Sequence, residues 1–570
     1  MLTADIPTRP KRHFIDEDLE VKSWSQIENY FQSLLDANIQ SVSDLEQWML
    51  NRSELESVLE EEQAWRYIKM NIDTRDEELS KAFHFWVTEI SPKVAPYSHK
   101  LNVKVSESPF LKELDQEKYH IYLRGLHKTI EIFREENIPL FTEMETKQQE
   151  YGAIAAKMTV EVDGEKMTMQ KAAQFLKDTD RSKRQKVYEK MSQRRAEDVE
   201  KLDMLFDDLI ALRQQIAKNS GFDNYRDYMF AAMGRFDYTP EDCSDFHTAI
   251  EKEIVPIIES FDAGRKNKMK LEAYKPWDTS VDAEGKAPLK PFEGGEDLID
   301  KSIRCFERLS PYYGQCLSTM KAMKHIDLVS KEGKAPGGFN YPLYEIGVPF
   351  IYMNAVGSQR DLVTMVHEGG HAIHSFLSRD LDLCDFKSTP SEVAELASMS
   401  MELISMDTWD EFYSNEEELA RAKTEQMQKV LEGLPWIAAI DKFQHWIYTT
   451  PHTAEERRAE WKNIMQKLGS SIVDWDGQED ALLNLWQKQL HLYEVPFYYI
   501  EYGMAQLGAI AMWRSYKQLG KEALSNYDEA LKLGYTKSIG EIYQTAGIEF
   551  NFSQAYVNEL ADFIKAQLNR

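Results

Sequence analysis

The sequence predicts a large, mainly α-helical protein, and three of its properties lead to this fold class. Of the 570 residues, 26 are glycine and 19 are proline. Together they make up about 8% of the chain, below the roughly 12% that is usual. Apolar residues recur at spacings of three and four over long stretches, which is the helical period. The apolar fraction of 42% is sufficient for a packed core and excludes disorder of the whole chain.

Net charge and cysteine content limit which partners the protein can bind and which cellular compartment it suits. The net charge is −28, so the broad basic surface that nucleic acid or anionic lipid requires is missing. No run of about eighteen uncharged apolar residues occurs. The four cysteines stand far apart without a CxxC pair, which predicts reduced, buried thiols. We expect a cytoplasmic protein without nucleic-acid or membrane partners; the oligomeric state stays open.

The N-terminal third follows a helical pattern with one interruption. From Asp16 to about Ile216 the apolar spacing predicts successive helices. The interruption, KMTVEVDGEKMTM, alternates apolar and polar residues around Asp163 and Gly164. This dipeptide favours the tight turn of a β-hairpin, which we predict here.

Two later segments predict loops. Residues 273–296 concentrate proline, glycine and charge, which indicates a long exposed loop or a boundary. The segment KEGKAPGGFNYPLYEIGVPFIYMNAVGS contains two β-like runs, FNYPLYEI and VPFIYMN. It predicts a short extended pair immediately before the next helix.

The motif HEGGH is the clearest indication of a catalytic metal site. His367 and His371 are four residues apart and therefore lie on one helix face, where both imidazoles can bind one zinc ion. Glu368 is placed to activate a metal-bound water. Ser358 begins a capping-box pattern for this helix. Two glycines inside the helix each cost about 1 kcal/mol relative to alanine, so another element is expected to approach this surface closely.

The third metal ligand is expected on the following helix. Thr389 and Glu392 fit an N-cap and its capping box, which leaves Glu395 one turn deeper, among small residues, as the preferred ligand. The rival ligands lie in the preceding turn: Asp382 and Asp385. Glu402 shares the face of Glu395 and either orients a ligand histidine or is solvated.

One neighbouring histidine is not expected to bind the metal. His374 lies on nearly the same face as His367, but seven residues further along the helix axis. We predict that it supports the site or the structure instead.

Three blocks in order resemble a known family: VPFIYMNAVGSQRDLVTMVHEGGHAIHSFL, STPSEVAELASM and HLYEVPFYYIEYGMAQLG. They are similar to the zinc peptidases that include thimet oligopeptidase and oligoendopeptidase F, and most similar to the latter branch. The resemblance covers roughly the C-terminal 370 residues. It implies one zinc ion per chain, bound by His367, His371 and Glu395, with Glu368 as the general base.

The third block resembles the part of the family that stabilises the reaction intermediate. His491, Tyr498 and Tyr502 match its histidine and tyrosine pattern after Pro496. A positioned imidazole or phenol can stabilise the oxyanion that forms when a peptide carbonyl is attacked. Tyr499 falls in the same cluster, so the pattern leaves open which phenol acts.

The resemblance also implies an architecture. The family fold is a helical ellipsoid divided by a deep central substrate channel, with a small β element beside the zinc-binding helix. The run PFIYMN resembles the family's strand there, and an extended edge at this position would pair with a peptide backbone. We divide the chain into an N-terminal helical lobe (1–200) and a catalytic domain (201–570).

The predicted function is that of a zinc-dependent endopeptidase acting on oligopeptides through a glutamate-activated, zinc-bound water. Two alternatives remain. An exopeptidase of the dipeptidyl carboxypeptidase or carboxypeptidase type would use the same metal site in a channel closed at one end. A catalytically silent peptide-binding protein would keep the fold without the reaction.

Overall fold

The structure is a computed structural model that describes residues 6–335 and 337–569. About 70% of the chain is helical and few residues are in strands, which confirms the predicted mainly α class. Within the described ranges, no helix combines the length and apolar character that crossing a membrane requires.

The helices and strands have the following bounds. The α-helices are α1 (Trp24–Asp36), α2 (Val42–Ile72), α3 (Glu77–Phe85), α4 (Ser91–Ser106), α5 (Gln116–Ile132), α6 (Asn137–Ala156), α7 (Met169–Ala173), α8 (Arg181–Ala196), α9 (Val199–Asn219), α10 (Tyr225–Ala232), α11 (Pro240–Ala249), α12 (Val255–Lys268), α13 (Gly294–Leu309), α14 (Pro311–Met323), α15 (Gln359–Ser378), α16 (Cys384–Lys387), α17 (Ser391–Ile404), α18 (Glu416–Thr449), α19 (Ala454–Leu468), α20 (Glu479–Leu483), α21 (Leu490–Glu494), α22 (Tyr499–Leu519), α23 (Lys521–Lys532), α24 (Ile539–Thr545) and α25 (Gln554–Leu568). Short 3₁₀ helices span Leu111–Glu113, Gln174–Lys177, Pro276–Asp278, Ser405–Glu411 and Leu485–Lys488, and π-helical turns span Trp86–Ile90 and Ile250–Ile254. The strands are β1 (Thr159–Val162), β2 (Glu165–Thr168), β3 (Ile326–Val329), β4 (Phe339–Tyr341) and β5 (Phe350–Ala355).

The chain forms two compact units, each built from three segments. The first comprises residues 1–131, 288–426 and 505–550, and the second comprises 132–287, 427–504 and 551–570. One junction, between residues 287 and 288, falls in the segment predicted as a loop or boundary. The predicted division into residues 1–200 and 201–570 stays a prediction, as does the central channel.

The first unit contains the small sheet that precedes the HEGGH helix. Its strand order is β3-β5-β4, with β3 parallel and β4 antiparallel to β5. The run PFIYMN, which forms β5, is therefore the central strand, and the expectation that it offers a free edge is wrong. Both its sides are already hydrogen-bonded, and β4 is an edge strand instead. Helix α15 follows β5 and packs on β4, β5 and α17.

Apolar side chains of the first unit pack in two clusters. One joins α1, α2, α4 and α5 through buried residues such as Phe31, Trp48 and Leu101. The other packs Ala64 and Ile68 of α2 against the sheet. Helix α2 therefore packs against this sheet, and its central strand β5 is buried along nearly its whole length.

The second unit contains the predicted hairpin. Strands β1 and β2 pair antiparallel from Thr159–Thr168 to Val162–Glu165. The two turn residues, Asp163 and Gly164, have φ angles of 53° and 83°, as a two-residue turn of this kind demands. The hairpin prediction is confirmed.

The segment 273–296 is only partly the exposed loop that its composition predicts. Asp278 is fully buried, because its carboxylate accepts hydrogen bonds from Arg184 at 2.8 Å and from Arg181 at 2.8 Å. Helix α13 begins at Gly294, three residues before the predicted start. The four cysteines are all buried and unpaired as disulfides, which confirms the thiol prediction.

Candidate metal centre

The start of α15 determines where its histidines lie. The Ser358 hydroxyl accepts from the Asp361 backbone N–H at 3.3 Å, and the Asp361 carboxylate accepts from the Ser358 N–H at 2.9 Å. This reciprocal pair is the predicted capping box. It satisfies two backbone donors at the first turn and thereby sets the helix register.

The structure brings His367, His371 and Glu395 together in the first unit. Glu395 Oε2 lies 3.4 Å from Nε2 of His367 and 3.8 Å from Nε2 of His371. The three ligand atoms lie within 4.8 Å of one another. Tetrahedral bonds of about 2.0–2.2 Å to zinc place ligand atoms roughly 3.3–3.5 Å apart. The arrangement therefore fits one such ion with small adjustments.

The two glycines of the motif allow this approach of α15 to α17. A Cβ added at Gly370 would stand 2.6 Å from Ser398 Cα and 2.7 Å from the Ala397 carbonyl oxygen, both backbone atoms of α17. A Cβ at Gly369 would stand 2.7 Å from the ring of Phe306 on α13. The expected close neighbours are thus a helix backbone and an aromatic ring, and they bring Glu395 within reach of the histidines.

Glu402 orients one of the histidines. Its Oε1 accepts from His367 Nδ1 at 2.7 Å, and its Oε2 accepts from Gln426 Nε2 at 2.8 Å. With Nδ1 donating to this carboxylate, a neutral His367 ring keeps its lone pair on Nε2, which faces Glu395 at 3.4 Å. Of the two possibilities that the sequence left for Glu402, the structure selects the orienting contact.

Glu368 is buried beside the ligands, with 6% of its surface exposed. Burial raises the pKa of its carboxyl to about 7, against the opposing charge of His367. A carboxylate with a pKa near neutrality is suited to take up and return a proton. Asn340 on β4 donates to the Glu368 backbone carbonyl at 3.2 Å and links the sheet edge to this residue.

Electrostatics of the protein alone also indicate a cation site. Burial by itself lowers the pKa of His367, but the hydrogen bond to Glu402 and the charge of Glu395 raise it to about 10. Burial and the neighbouring His367 charge hold the pKa of His371 well below its ordinary value. Three carboxylates thus surround two imidazoles, and a divalent cation would balance their charge.

The remaining predicted residues near the motif have other roles. Burial lowers the pKa of His374 to about 4, and its Nε2 has no hydrogen-bond partner among the described residues; it packs structurally. Asp382 pairs with Lys118 at 2.6 Å. The predicted cap at Thr389 is wrong, because α17 begins at Ser391 with Pro390 as its N-cap. Pro390 has the extended backbone of an N-cap, with φ −62° and ψ 151°, and makes no side-chain capping hydrogen bond.

His491, Tyr498 and Tyr502 form one aromatic group in the second unit. Ring centroids lie 6.2 Å apart between His491 and Tyr498, 6.1 Å between His491 and Tyr502, and 5.2 Å between the two tyrosines. Tyr499 belongs to the same group, with its ring 4.8 Å from His491. The structure brings together the residues that the third block suggested.

An unusual backbone conformation precedes this group. Phe497 has a φ of 69°, which costs a non-glycine residue about 1–2 kcal/mol. Its N–H donates to Gln444 at 2.6 Å and its carbonyl accepts from Arg235. Arg235 is buried and pairs with Glu501 at 2.7 Å. These contacts hold the strained turn from which Tyr498 and α22 begin.

Three supporting residues escaped the sequence analysis. Gln426 and Asn340 act from elements distant in the chain, and no local pattern marks them. Ser398, whose hydroxyl donates to Glu395 Oε2 at 3.1 Å, stands three residues after Glu395 on the same helix. Residues three apart on a helix are neighbours, so the position of Ser398 relative to Glu395 could have predicted this contact.

Comparisons with known proteins agree with the resemblance. Residues 174–300 and 313–562 match the profile of peptidase family M3, and residues 14–133 match the peptidase M3 N-terminal domain. Oligopeptidase PepF of Bacillus subtilis is 23% identical over 317 residues, which cover 54% of this chain and 46% of that protein. An oligoendopeptidase F homolog of Borreliella burgdorferi is 22% identical over 324 residues, 55% of this chain and 53% of that protein.

The solved structures extend the similarity to nearly the whole chain. PZ peptidase A, solved with an inhibitor, superposes with a TM-score of 0.89 and 26% identity over 96% of this chain and 98% of its own. The chain spans about half the length of the curated relatives it matches. Two family profiles in order and a shared mainly helical fold identify its family. The chain belongs to peptidase family M3.

Proposed function

We propose that the protein is a zinc-dependent endopeptidase that hydrolyses internal bonds of short oligopeptides. The observation that carries the proposal is the convergence of His367, His371 and Glu395 with a buried glutamate, Glu368, next to them in the chain. Two imidazoles and a carboxylate are a common ligand set of zinc peptidases. The four cysteines are buried and form no disulfide, which suits a reducing compartment, and we include a cytoplasmic location in the proposal.

Bound zinc would act as a Lewis acid that polarises the attacking water and the scissile carbonyl. His367, His371 and Glu395 would hold it, and Glu402 keeps the Nε2 lone pair of His367 directed at it. The Glu368 carboxylate takes up the proton of the attacking water. It then returns this proton to the nitrogen of the departing amine.

His491 is suited to donate a hydrogen bond to the oxyanion. Trp436 Nε1 donates to Gln489 Oε1 at 2.9 Å, so the Gln489 amide turns its NH₂ toward His491 Nδ1, which lies 2.7 Å away. Burial lowers the pKa of the His491 imidazole and favours its neutral form. Nδ1 is then the acceptor and Nε2 carries the proton.

A tyrosine is proposed to act with His491 on the same oxyanion. Tyr498 and Tyr502 both remain candidates, because both rings contact each other and pack around His491. Loss of one such donor typically costs about 3 kcal/mol of transition-state stabilisation.

Strand β4 is suited to receive the peptide backbone. Among the described strands it pairs only with β5, so it forms an edge of the sheet. It also packs on α15, and its Asn340 contacts Glu368. Backbone pairing at a sheet edge tolerates varied side chains, as a general oligopeptidase needs.

Digestion of a mixed peptide library tests this function. Peptides with free termini and with both termini blocked are incubated with the protein, with and without a chelator. We expect internal cleavage of blocked peptides that stops on chelation and returns with zinc. Intact blocked peptides beside trimmed free ones would show an exopeptidase. Binding without any cleavage would show a silent peptide-binding protein.

A further inference from the structure

A second cluster of metal-binding side chains lies in the second unit, away from the HEGGH helix in the chain. Helix α11 carries Cys243 and His247 four residues apart, and α18 carries Asp441 and His445 four residues apart. Each pair lies on one face of its helix. The two faces meet here, and metal sites in helical proteins are commonly built from side chains on two facing helices.

The ligand atoms of the cluster lie close enough together to hold one metal ion. Cys243, Asp441 and His445 each offer a ligand atom, and these atoms all lie within 4.8 Å of one another. Asp441 Oδ2 lies 3.2 Å from His445 Nε2. His247 Nε2 is hydrogen-bonded to the same oxygen at 2.8 Å, and the two imidazole rings stand 5.7 Å apart.

Hydrogen bonding within the chain leaves this cluster incomplete. Cys243 and Asp441 are both fully buried. Among the described residues, neither Asp441 Oδ1 nor His445 Nε2 has a partner of hydrogen-bond geometry. Burial of a carboxylate oxygen or a ring nitrogen without a hydrogen bond of good geometry is unfavourable. A bound cation would satisfy both atoms at once.

We propose that Cys243, Asp441 and His445 bind a second divalent transition-metal ion, of which zinc is the representative, with His247 orienting Asp441. A thiolate and an imidazole favour zinc or a similar borderline-soft ion over magnesium or calcium, which prefer oxygen ligands. Binding releases the Cys243 thiol proton to solvent, because the thiolate is the ligand.

The position of the cluster gives the ion a structural role. The His445 ring contacts the ring of Phe497 with centroids 5.6 Å apart, and Phe497 is the strained residue that precedes Tyr498. Phe246, on α11, packs against Gly503 of α22 so closely that a Cβ there would stand 2.6 Å from its ring. The second ion would therefore fix α11 and α18 where they support the His491 and tyrosine group.

Metal stoichiometry tests the second site independently of peptidase activity. Protein purified without chelator and loaded with zinc is dialysed and analysed by mass spectrometry of its metal content. We expect two zinc ions per chain, falling to one in Cys243→Ser and to one in Glu395→Gln. A single zinc ion that Glu395→Gln removes completely would overturn the second site and leave the HEGGH site intact.

Cobalt substitution gives a test that needs no loss-of-binding variant. The ligands His367, His371 and Glu395 include no thiolate, so a thiolate-to-cobalt charge-transfer band in the wild-type protein reports only on a cysteine-containing site. We expect this band in the wild type and in the control Cys305→Ser, which alters an equally buried cysteine. We expect its loss in Cys243→Ser. Absence of the band in a cobalt-loaded, folded wild-type protein would overturn the proposal.

Discussion

Glu368 combines deep burial with a position directly beside a ligand histidine. These two conditions explain why its carboxyl holds a proton up to a pH of about 7 and why it is the proposed base. The sequence placed this glutamate from the HExxH spacing alone. Its raised pKa follows from burial among packed helices, which a spacing pattern does not contain.

Replacement of this carboxyl tests its role. Glu368→Gln keeps the size and most hydrogen-bonding capacity of the side chain but cannot accept the proton of water. We expect unchanged zinc content and a loss of about 10²–10⁴-fold in kcat, measured with a fluorogenic peptide. Glu522→Gln, which alters an exposed glutamate of α23, serves as control and keeps full activity. Turnover of Glu368→Gln equal to the control would refute the base assignment.

The same variant predicts a pH-dependent gain in stability of the metal-free protein. The folded-state pKa of Glu368 is about 7, above its ordinary 4.5, so the wild type loses stability as pH rises through this window. Glu368→Gln avoids this loss. We expect it to be more stable by roughly 3 kcal/mol at pH 8 and about equal at pH 4.5. Urea unfolding of chelator-treated protein at both pH values measures this; an equal difference at both would contradict it.

Glu402 contacts His367, and we propose that it acts by orienting this metal ligand. Glu402→Gln weakens the hydrogen bond that orients the His367 ring. We expect zinc affinity to fall about 10–100-fold, measured by competition with a chelator. Glu425→Gln on α18, which alters a carboxylate paired with Arg421, serves as control and leaves affinity unchanged. If Glu402→Gln bound zinc as tightly as this control, the orienting role would be wrong.

At the scale of elements, α15 and α17 form the site because Gly370 has no Cβ, and the two helix backbones can therefore approach each other closely. Gly370→Ala places a methyl group 2.6 Å from Ser398 Cα, so α17 and Glu395 must shift. We expect a loss of about 1–3 kcal/mol of stability and weaker zinc binding, measured by thermal unfolding and metal titration.

The control for Gly370→Ala is Gly125→Ala in the interior of α5. A Cβ at Gly125 meets no atom within 4 Å, so this change is expected to stabilise the protein by about 0.5–1 kcal/mol. If both variants changed stability alike, close helix approach would not explain the glycines of the motif.

Elements with strong local signals were predicted correctly, and those decided by packing were not. The capping box at Ser358 and the hairpin at Asp163 and Gly164 depend on neighbouring residues and are present. The predicted cap at Thr389 is wrong, because α17 begins at Ser391 and Pro390 takes the N-cap position. The strand β5 was expected at an edge. Its central position depends on pairing with β3, which ends twenty-one residues before β5 begins and carries no local mark of that partner.

At the scale of the whole molecule, each compact unit combines segments that are far apart in the chain. Local sequence patterns do not show which distant segments pack together, so they do not predict these two units. The proposed metal ligands lie in the first unit, whereas His491 and its tyrosines lie in the second. The metal is the component on which the other proposed roles depend.

Anomalous diffraction at the zinc absorption edge, from crystals of zinc-loaded protein, tests the proposed metal centre most directly. We expect a zinc peak about 2.0–2.2 Å from Nε2 of His367, Nε2 of His371 and a carboxylate oxygen of Glu395. Zinc-loaded crystals with no anomalous peak among these three side chains would contradict it.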